Sequence, residues 1–344
     1  MQFPREVIVG EGVIERVAEV AHRLGFTDSA LIITGSKTFD AAGKTVKTIL
    51  EGDGLRVETM LVESATLKDV EAVEKKIEYS NPQVVFGVGG GTKIDVAKLS
   101  SARQKIPFIS VPTTASHDGI ASPLSSVKGL EKPFSVMAHA PIAIIADTEI
   151  IMQTPYRLMA SGCGDVISKI TAVKDWKLAH EENGEYYGEY AASLALMSAK
   201  LVMQNAKLIG HGNEEGLRVL LEALISCGVA MSIAGSSRPC SGSEHLFSHA
   251  LDIVKPNSAM HGEQCGVGAI MMAYLHGANW KRIRETLEVL EAPTSAYELG
   301  LTKEDVIKAL FMAPSVRPER YTILSKLNLS INECEKIAKL TGVI

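Results

Sequence analysis

The sequence has few aromatic residues and no excess of positive charge. Phenylalanine, tryptophan and tyrosine together make up 5% of the 344 residues, and 35 Lys and Arg stand against 40 Asp and Glu, a formal net charge of -5. A protein that coats a polyanion needs a strongly basic surface. The composition therefore argues against nucleic acid as a partner.

Long apolar runs are missing as well. No uninterrupted apolar stretch reaches the roughly 18 residues that a membrane-spanning helix needs, and the opening MQFPREVIVGEG is not a basic segment followed by an apolar one. These absences predict no stable membrane insertion and a cytoplasmic protein.

Paired cysteines are absent too. The chain has 5 cysteines, an odd number, with no CxxC spacing, so a disulfide framework is not indicated and reduced, buried thiols are expected. Cys163 and Cys265 each lie beside a candidate metal ligand discussed below, but a thiolate ligand is the less favoured interpretation, because neither has a second cysteine nearby.

Apolar residues make up 46% of the chain, and their spacing along the sequence differs between its two halves. Short β-rich runs alternate with helical patterns over 1–153, at residues 7–9, 30–34, 57–62, 84–88, 108–111 and 142–145. This alternation predicts an α/β, Rossmann-like domain with a parallel sheet. Residues 154–344 favour helix throughout and predict an all-α domain, with the ligand site expected in the cleft between the two.

A glycine-rich loop follows the fourth β-run, in residues 84–98, VVFGVGGGTKIDVAK. Consecutive glycines leave the backbone bare of Cβ atoms, and a following helix directs its N–H groups and positive dipole end at a phosphate. This pattern predicts a pyrophosphate site at Gly89, Gly90 and Gly91. A tight turn between strand and helix would explain the same glycines, and neither GxGxxG in its usual place nor a P-loop is present.

A polar loop follows the fifth β-run, in residues 109–123, ISVPTTASHDGIASP. Its hydroxyl groups and amides could hold the ribose and carboxamide of a dinucleotide. Because it comes directly after the glycine loop and at the same edge of the predicted sheet, we interpret it as functional rather than as an ordinary turn.

Candidate metal ligands cluster in the helical half. Asp165 follows Gly-Cys-Gly at the expected entry to that half, where alone it would suit a helix N-cap. His245 and His249 lie four residues apart, hence on one helix face, and His261 follows closely. One aspartate and two histidines leave coordination positions open, which is typical of catalytic Zn²⁺, although Fe²⁺ suits such ligands too.

The order of these motifs, GGGTKID, PTTASHDGIASP, GCGD, SEHLFSH and HGEQCG, resembles the superfamily of glycerol dehydrogenases, iron-containing alcohol dehydrogenases and dehydroquinate synthases. Within it the sequence is most similar to the archaeal-type sn-glycerol-1-phosphate dehydrogenases, over nearly the whole chain. The resemblance implies one zinc ion per subunit, a homo-oligomer, and reduction of dihydroxyacetone phosphate by NADH or NADPH in archaeal ether-lipid synthesis.

The resemblance also implies roles for individual residues. It assigns zinc to Asp165, His245 and His261, and the substrate to His249, Asp118 and again Asp165. The positions it implies for the cofactor are Gly91, Thr92, Lys93, Ile94, Asp95, Thr113, Thr114, Ala115, Ser116 and Ser122.

The segment after the second β-run, Gly35, Ser36 and Lys37, bears on the choice of cofactor. A carboxylate there would bind the adenosine ribose and repel a 2′-phosphate, whereas this segment offers a hydroxyl and a cation, unless Lys37 is only a solvated helix-start residue. We therefore expect NADPH to be accepted as well as NADH. The alternatives for the reaction are a glycerol dehydrogenase without phosphate selectivity and a dehydroquinate-synthase-like lyase.

Overall fold

A computed structural model describes residues 2–129 and 135–344. The chain forms two compact units, Met1–Pro155 and Tyr156–Ile344. The first is built on a sheet, and the second is built from helices.

Six parallel strands form the sheet of the first unit, in the order β1-β8-β5-β4-β2-β3. Four of them, β2, β4, β5 and β8, are buried along their whole length, as expected for a parallel sheet covered on both faces. The prediction of a parallel α/β fold is confirmed. The strands are β1 Glu6–Gly10, β2 Ser29–Thr34, β3 Arg56–Leu61, β4 Val84–Gly89, β5 Phe108–Pro112 and β8 Ala143–Asp147.

Helices connect these strands. One of the two longest, Leu67–Ser80, begins with a capping box in which the Thr66 hydroxyl accepts from the amide of Asp69. The helices of this unit are α1 Val17–Arg23, α2 Ser36–Thr38, α3 Lys44–Gly52, α4 Leu67–Ser80, α5 Gly91–Gln104 and α6 Thr148–Met152, with 3₁₀ turns Val13–Arg16 and Asp118–Ile120 and a π-helical turn Phe39–Gly43.

A small antiparallel pair, β6 Leu124–Ser126 and β7 Ser135–Met137, follows the loop after β5. The fully buried Lys98 on α5 holds the start of this pair, because its Nζ donates to the carbonyl oxygens of Gly119, at 2.7 Å, and Leu124, at 2.6 Å. The polar loop is thereby fixed onto the helix that follows the glycine loop.

The second unit is helical, as predicted. Its longest helix, α7, has 28 residues and is buried along most of its first half. The helices are α7 Tyr156–Asn183, α8 Glu189–Gln204, α9 Ala206–Gly210, α10 Glu214–Ala234, α11 Ser243–Val254, α12 His261–Leu275, α13 Trp280–Val289, α14 Lys303–Val316, α15 Ile323–Leu327 and α16 Ile331–Leu340.

The Gly-Cys-Gly segment lies inside α7, the first helix of this unit, so Asp165 is not a helix N-cap. One glycine of the segment serves a helix crossing. A Cβ on Gly164 would lie 2.4 Å from the carbonyl oxygen of Gly262 on α12, and a Cβ on Gly262 would lie 1.9 Å from the carbonyl oxygen of Ser161. The two helix backbones therefore touch where a side chain would keep them apart.

One helix, α10, is long and apolar enough to cross a membrane, but 61% of its most apolar window is buried against the rest of the protein. It packs on α7 and α8. Core helices of globular proteins show the same composition.

Candidate functional site

Three loops meet at the carboxyl edge of the sheet, because β5, β4 and β2 are neighbours. The side chain of Lys93 lies against Gly35, where a Cβ would be 2.3 Å from its Cε. A Cβ on Gly89 would lie 3.1 Å from the Thr38 hydroxyl, and one on Gly90 would lie 3.3 Å from the Thr114 hydroxyl. The structure thus brings together the segments predicted separately to bind the dinucleotide, at the position where open α/β sheets bind ligands.

The glycine loop has little room for side chains. Gly89 has a φ of 151°, a conformation that residues with a Cβ rarely adopt. A Cβ on Gly91, the first residue of α5, would lie 1.9 Å from Nε2 of His117. The start of this 14-residue helix therefore carries no Cβ that would block a phosphate, and the His117 ring lies beside Gly91 where a side chain would stand.

The next residues of the predicted cofactor segment divide by exposure. Thr92 and Lys93 are partly exposed, whereas Ile94 and Asp95 are buried. The carboxylate of Asp95 accepts from Lys98, at 3.2 Å, and from the amide of Ser126, at 3.2 Å. Its side chain therefore supports the polar loop from inside.

The polar loop likewise has a buried part and an accessible part. Thr113, Ala115 and Ser122 are buried, and the amide of Thr113 donates to the carbonyl oxygen of Gly89 at 3.1 Å. Thr114 and Ser116 are partly exposed, with their hydroxyl oxygens 3.4 Å apart. Asp118 begins the 3₁₀ turn of the same loop.

A carboxylate that sequence reasoning missed lies at this edge. Glu63, just after β3, accepts from the amide of Ser36 at 3.0 Å and from the Ser36 hydroxyl. Hydrogen bonds from Ser36, with smaller contributions from Lys93 and Lys37, lower the pKa of Glu63. The segment after β2 offers no acid of its own, but the neighbouring strand supplies one.

In the helical unit the structure brings the three predicted metal ligands together and adds a fourth donor. One ligand atom each from Asp165, His245, His261 and Cys265 lie within 4.8 Å of one another. Asp165 comes from α7, His245 from α11, and His261 and Cys265 from one face of α12. A carboxylate, two imidazoles and a thiol, largely buried, form a donor set that suits a divalent transition metal.

Groups behind the ligands fix their orientation. His245 donates from Nδ1 to Oε1 of Glu244 at 2.9 Å, which leaves Nε2 facing Asp165 Oδ1 at 3.7 Å. The Ser248 hydroxyl lies 3.1 Å from Nδ1 of His261. A histidine that binds a metal commonly makes such a bond through its other nitrogen. Neither Glu244 nor Ser248 was singled out from the sequence.

A fully buried cation accompanies the cluster. Lys169 Nζ lies 2.5 Å from Oδ1 of Asp165, one helical turn away on α7. Burial alone would raise the pKa of Asp165, but the charge of Lys169, with that of His245 and His261, holds that pKa well below its usual range. The carboxylate is therefore ionised and ready to bind a cation.

His249 lies beside the cluster rather than in it. Its ring stacks near that of His261, with centroids 6.2 Å apart. Desolvation, then the charges of His245, Arg317 and Arg320, lowers the pKa of His249 to about 3. The ring is neutral near pH 7 and can both donate and accept a hydrogen bond.

Comparison with known proteins gives consistent results. Residues 8–155 match the family model of iron-containing alcohol dehydrogenases. In solved structures the fold resembles glycerol dehydrogenase from Schizosaccharomyces pombe, with a TM-score of 0.79, 20% identity, and coverage of 100% of this chain and 93% of that one. A probable glycerol dehydrogenase from Sinorhizobium meliloti 1021 has a TM-score of 0.80 and 17% identity over 99% and 97% of the two chains.

Two relatives are much more similar in sequence. A protein of Pyrococcus furiosus is 55% identical over 100% of this chain and 99% of its own length, and one of Methanosarcina mazei is 54% identical over 100% and 96%. Both are named glycerol-1-phosphate dehydrogenase with NAD(P)+ as the cofactor. With identity at this level over its full length, the chain belongs to the glycerol-1-phosphate dehydrogenase family of NAD(P)-linked oxidoreductases.

Proposed function

We propose that the protein reduces dihydroxyacetone phosphate to sn-glycerol 1-phosphate with NADH or NADPH, for the synthesis of archaeal membrane ether phospholipids. The observation that carries the proposal is the buried Asp165, His245, His261 and Cys265 donor set in a chain whose relatives share the name of this activity over their full length.

Zinc is the metal we propose for this site, held by Asp165, His245 and His261. Three protein ligands leave a coordination position for a substrate oxygen, whereas a fourth from Cys265 would close a tetrahedral site. If Cys265 is not a ligand, Cys265→Ala retains stoichiometric zinc and turnover. Loss of zinc from this variant would instead assign the thiolate to the metal.

The chain's own residues prepare the reduction. A divalent cation supplies Lewis-acid polarisation of a ketone, and the nicotinamide supplies the hydride. Glu244 orients the imidazole of His245, and Lys169 keeps the carboxylate of Asp165 ionised. His249, one helical turn along α11 from His245, is placed to hold a substrate hydroxyl or pass a proton to it, and we assign Asp118 to the substrate as well. Normal kcat and KM in His249→Ala would show that His249 neither holds the substrate hydroxyl nor passes a proton to it.

We assign the dinucleotide to the carboxyl edge of the sheet. The bare start of α5 would hold the pyrophosphate on Gly89, Gly90, Gly91 and Thr92. Thr114 and Ser116, which are partly exposed, would offer their hydroxyl groups to the ribose and the carboxamide. Beside Gly35 the adenosine ribose would meet Glu63 and Lys37, an acid and a base together, which suits acceptance of both NADH and NADPH.

One assay tests the proposal. Oxidation of NADH and NADPH is followed with dihydroxyacetone phosphate, with dihydroxyacetone, and with neither, before and after chelation and with zinc or iron restored. Activity on the phosphorylated ketone that zinc restores is the expected result. Equal use of dihydroxyacetone would indicate a glycerol dehydrogenase, and no net oxidation of either cofactor would contradict the proposal.

We further propose that the protein acts in the cytoplasm as a homo-oligomer with small-molecule partners only. Light scattering of the purified protein measures its mass in solution, and a monomer would contradict the oligomer.

A further inference from the structure

A second buried carboxylate of α7, Asp175, lies outside the donor set, further along the helix that carries Asp165. It accepts hydrogen bonds from the amide and the hydroxyl of Ser243, from the amide of Ile323 at 2.7 Å, and from Nε2 of His276 at 3.0 Å. Ser243 binds one carboxylate oxygen, and the other two residues bind the second. Both oxygens are therefore held by donors from other parts of the unit.

These donors belong to the ends of three helices. Ser243 is the first residue of α11, His276 is the C-cap of α12, and Ile323 is the first residue of α15. The helices α7, α11 and α12 supply the whole donor set, and α15 contributes nothing to it. One side chain of α7 is thus bonded to both of the other helices that carry ligands.

The start of α11 lies directly on α7. A Cβ on Gly242, the N-cap of α11, would lie 2.6 Å from Oδ2 of Asp175 and 2.8 Å from Cα of Ala172. The hydroxyl of Thr171, also on α7, donates to Oε2 of Glu244 at 2.7 Å. Because no side chain separates the two backbones at Gly242, a change at Asp175 acts on the position of the first turn of α11.

That first turn carries a metal ligand. Ser243, which Asp175 holds through its amide at 2.7 Å, and His245 belong to the same turn of α11. Glu244 lies between them and orients the imidazole of His245 through Nδ1. Asp175 therefore fixes the backbone from which His245 projects, while Glu244 fixes the ring.

The contact between α7 and α12 depends less on this carboxylate. Backbone atoms meet where Gly164 and Gly262 cross, at the end of α12 opposite to His276. Loss of the bond between Asp175 and His276 should leave that crossing in place. The effect of Asp175 on the donor set is consequently expected at α11 and its ligand.

We propose that Asp175 is a positioning residue for the metal site, because it holds the start of α11 against α7 and so places the imidazole of His245 beside the carboxylate of Asp165. This inference rests on the proposed metal site. The position requires two acceptor oxygens. An asparagine would turn its amide N–H₂ towards the backbone N–H of either Ser243 or Ile323, and two donors form no hydrogen bond.

The test measures the zinc Kd by competition with a chromophoric chelator, and ligand geometry by the visible absorption of cobalt(II) bound in place of zinc. Asp175→Asn should raise the zinc Kd about 10- to 100-fold, the range usual for groups that orient metal ligands, and should change the cobalt spectrum. Ser243→Ala loses the hydroxyl donor and keeps the amide, so its Kd should rise less, by about 2- to 10-fold.

A variant that only loses stability is the control. Leu220 on α10 is fully buried, so Leu220→Ala leaves a cavity and lowers the melting temperature, but α10 contributes nothing to the donor set. This variant should keep the zinc Kd and the cobalt spectrum of the parent protein. Thermal unfolding of the metal-free proteins compares the stability of all variants.

The outcomes separate this inference from the metal site itself. If the parent protein binds neither metal, or His245→Ala binds both equally well, the proposed metal site fails. If the parent binds them through His245, and Asp175→Asn keeps the Kd within about twofold and the same cobalt spectrum while its melting temperature falls, the positioning role alone is overturned. If Asp175→Asn does not fold, the same two measurements on Ser243→Ala decide.

Discussion

The two units build their sites by opposite means. In the sheet unit the predicted dinucleotide site consists mainly of backbone at the ends of β2, β4 and β5, kept bare by Gly89, Gly90 and Gly91. In the helical unit the donor set consists of side chains that project from α7, α11 and α12. The first site depends on the absence of side chains at its glycines, and the second depends on the ligand atoms of its side chains.

This contrast predicts different responses to substitution. A substitution in the donor set removes an atom that nothing else supplies, so its effect should be on metal content. A substitution in the glycine loop adds atoms, so its effect should be on dinucleotide affinity and leave the metal in place.

The largest effect is expected for His245→Ala. Removal of one imidazole from a three-ligand site leaves the metal too weakly held, so zinc content and reductase activity should both fall to background. Elemental analysis of dialysed protein and the cofactor-oxidation assay measure these quantities. His180→Ala, an exposed histidine of the same unit, is the control. Full zinc content in His245→Ala would remove this residue from the ligand set.

An intermediate effect is expected for Gly91→Ala. Its Cβ would lie 1.9 Å from the His117 ring, so the loop must shift, at a cost of about 1–3 kcal/mol. We expect NADH affinity, measured by fluorescence titration, to fall by about 5- to 150-fold with zinc unchanged. Gly52→Ala, where a Cβ meets nothing within 4 Å, is the control. A changed zinc content in Gly91→Ala would contradict the prediction that the two sites respond independently to substitution.

The smallest effect is expected for Glu63→Gln. Because this carboxylate is exposed and bonded to Ser36, its repulsion of a 2′-phosphate is screened by solvent and should be weak. The ratio of kcat/KM for NADPH to that for NADH should therefore rise by a few-fold at most, and less at high salt. Glu51→Gln on α3 is the control. A ratio that falls would place the adenosine ribose elsewhere.

The sequence identified the sheet because strands buried on both faces appear as short apolar runs. All six runs, from residues 7–9 to 142–145, overlap observed strands. Contacts between residues that are distant in the sequence and meet only after folding could not be predicted. Glu63 meets Ser36 because β3 lies next to β2, and Lys98 meets Gly119 only through the return of the loop after β5.

The same limit applies to the helical unit. Glycine inside a helix and glycine in a turn look alike in a sequence, so a helix N-cap remained an alternative role for Asp165 until the structure placed it inside α7. Cys265 was the less favoured ligand because it lacks a neighbouring cysteine, yet it is one helical turn from His261 on α12 and shares the donor set. The i,i+4 spacing that pointed to His245 and His249 was also present in His261 and Cys265.

The crossing of α7 and α12 has a further consequence for the evolution of the protein. Gly164 and Gly262 adjoin Asp165 and His261, so the separation of these two ligands is set by backbone contact and not by replaceable side chains. At an ordinary core position a larger side chain can be compensated by a smaller one next to it, whereas at these two glycines any side chain would meet backbone atoms. In a scan of every substitution they should be as intolerant as the ligands themselves, although they touch no substrate.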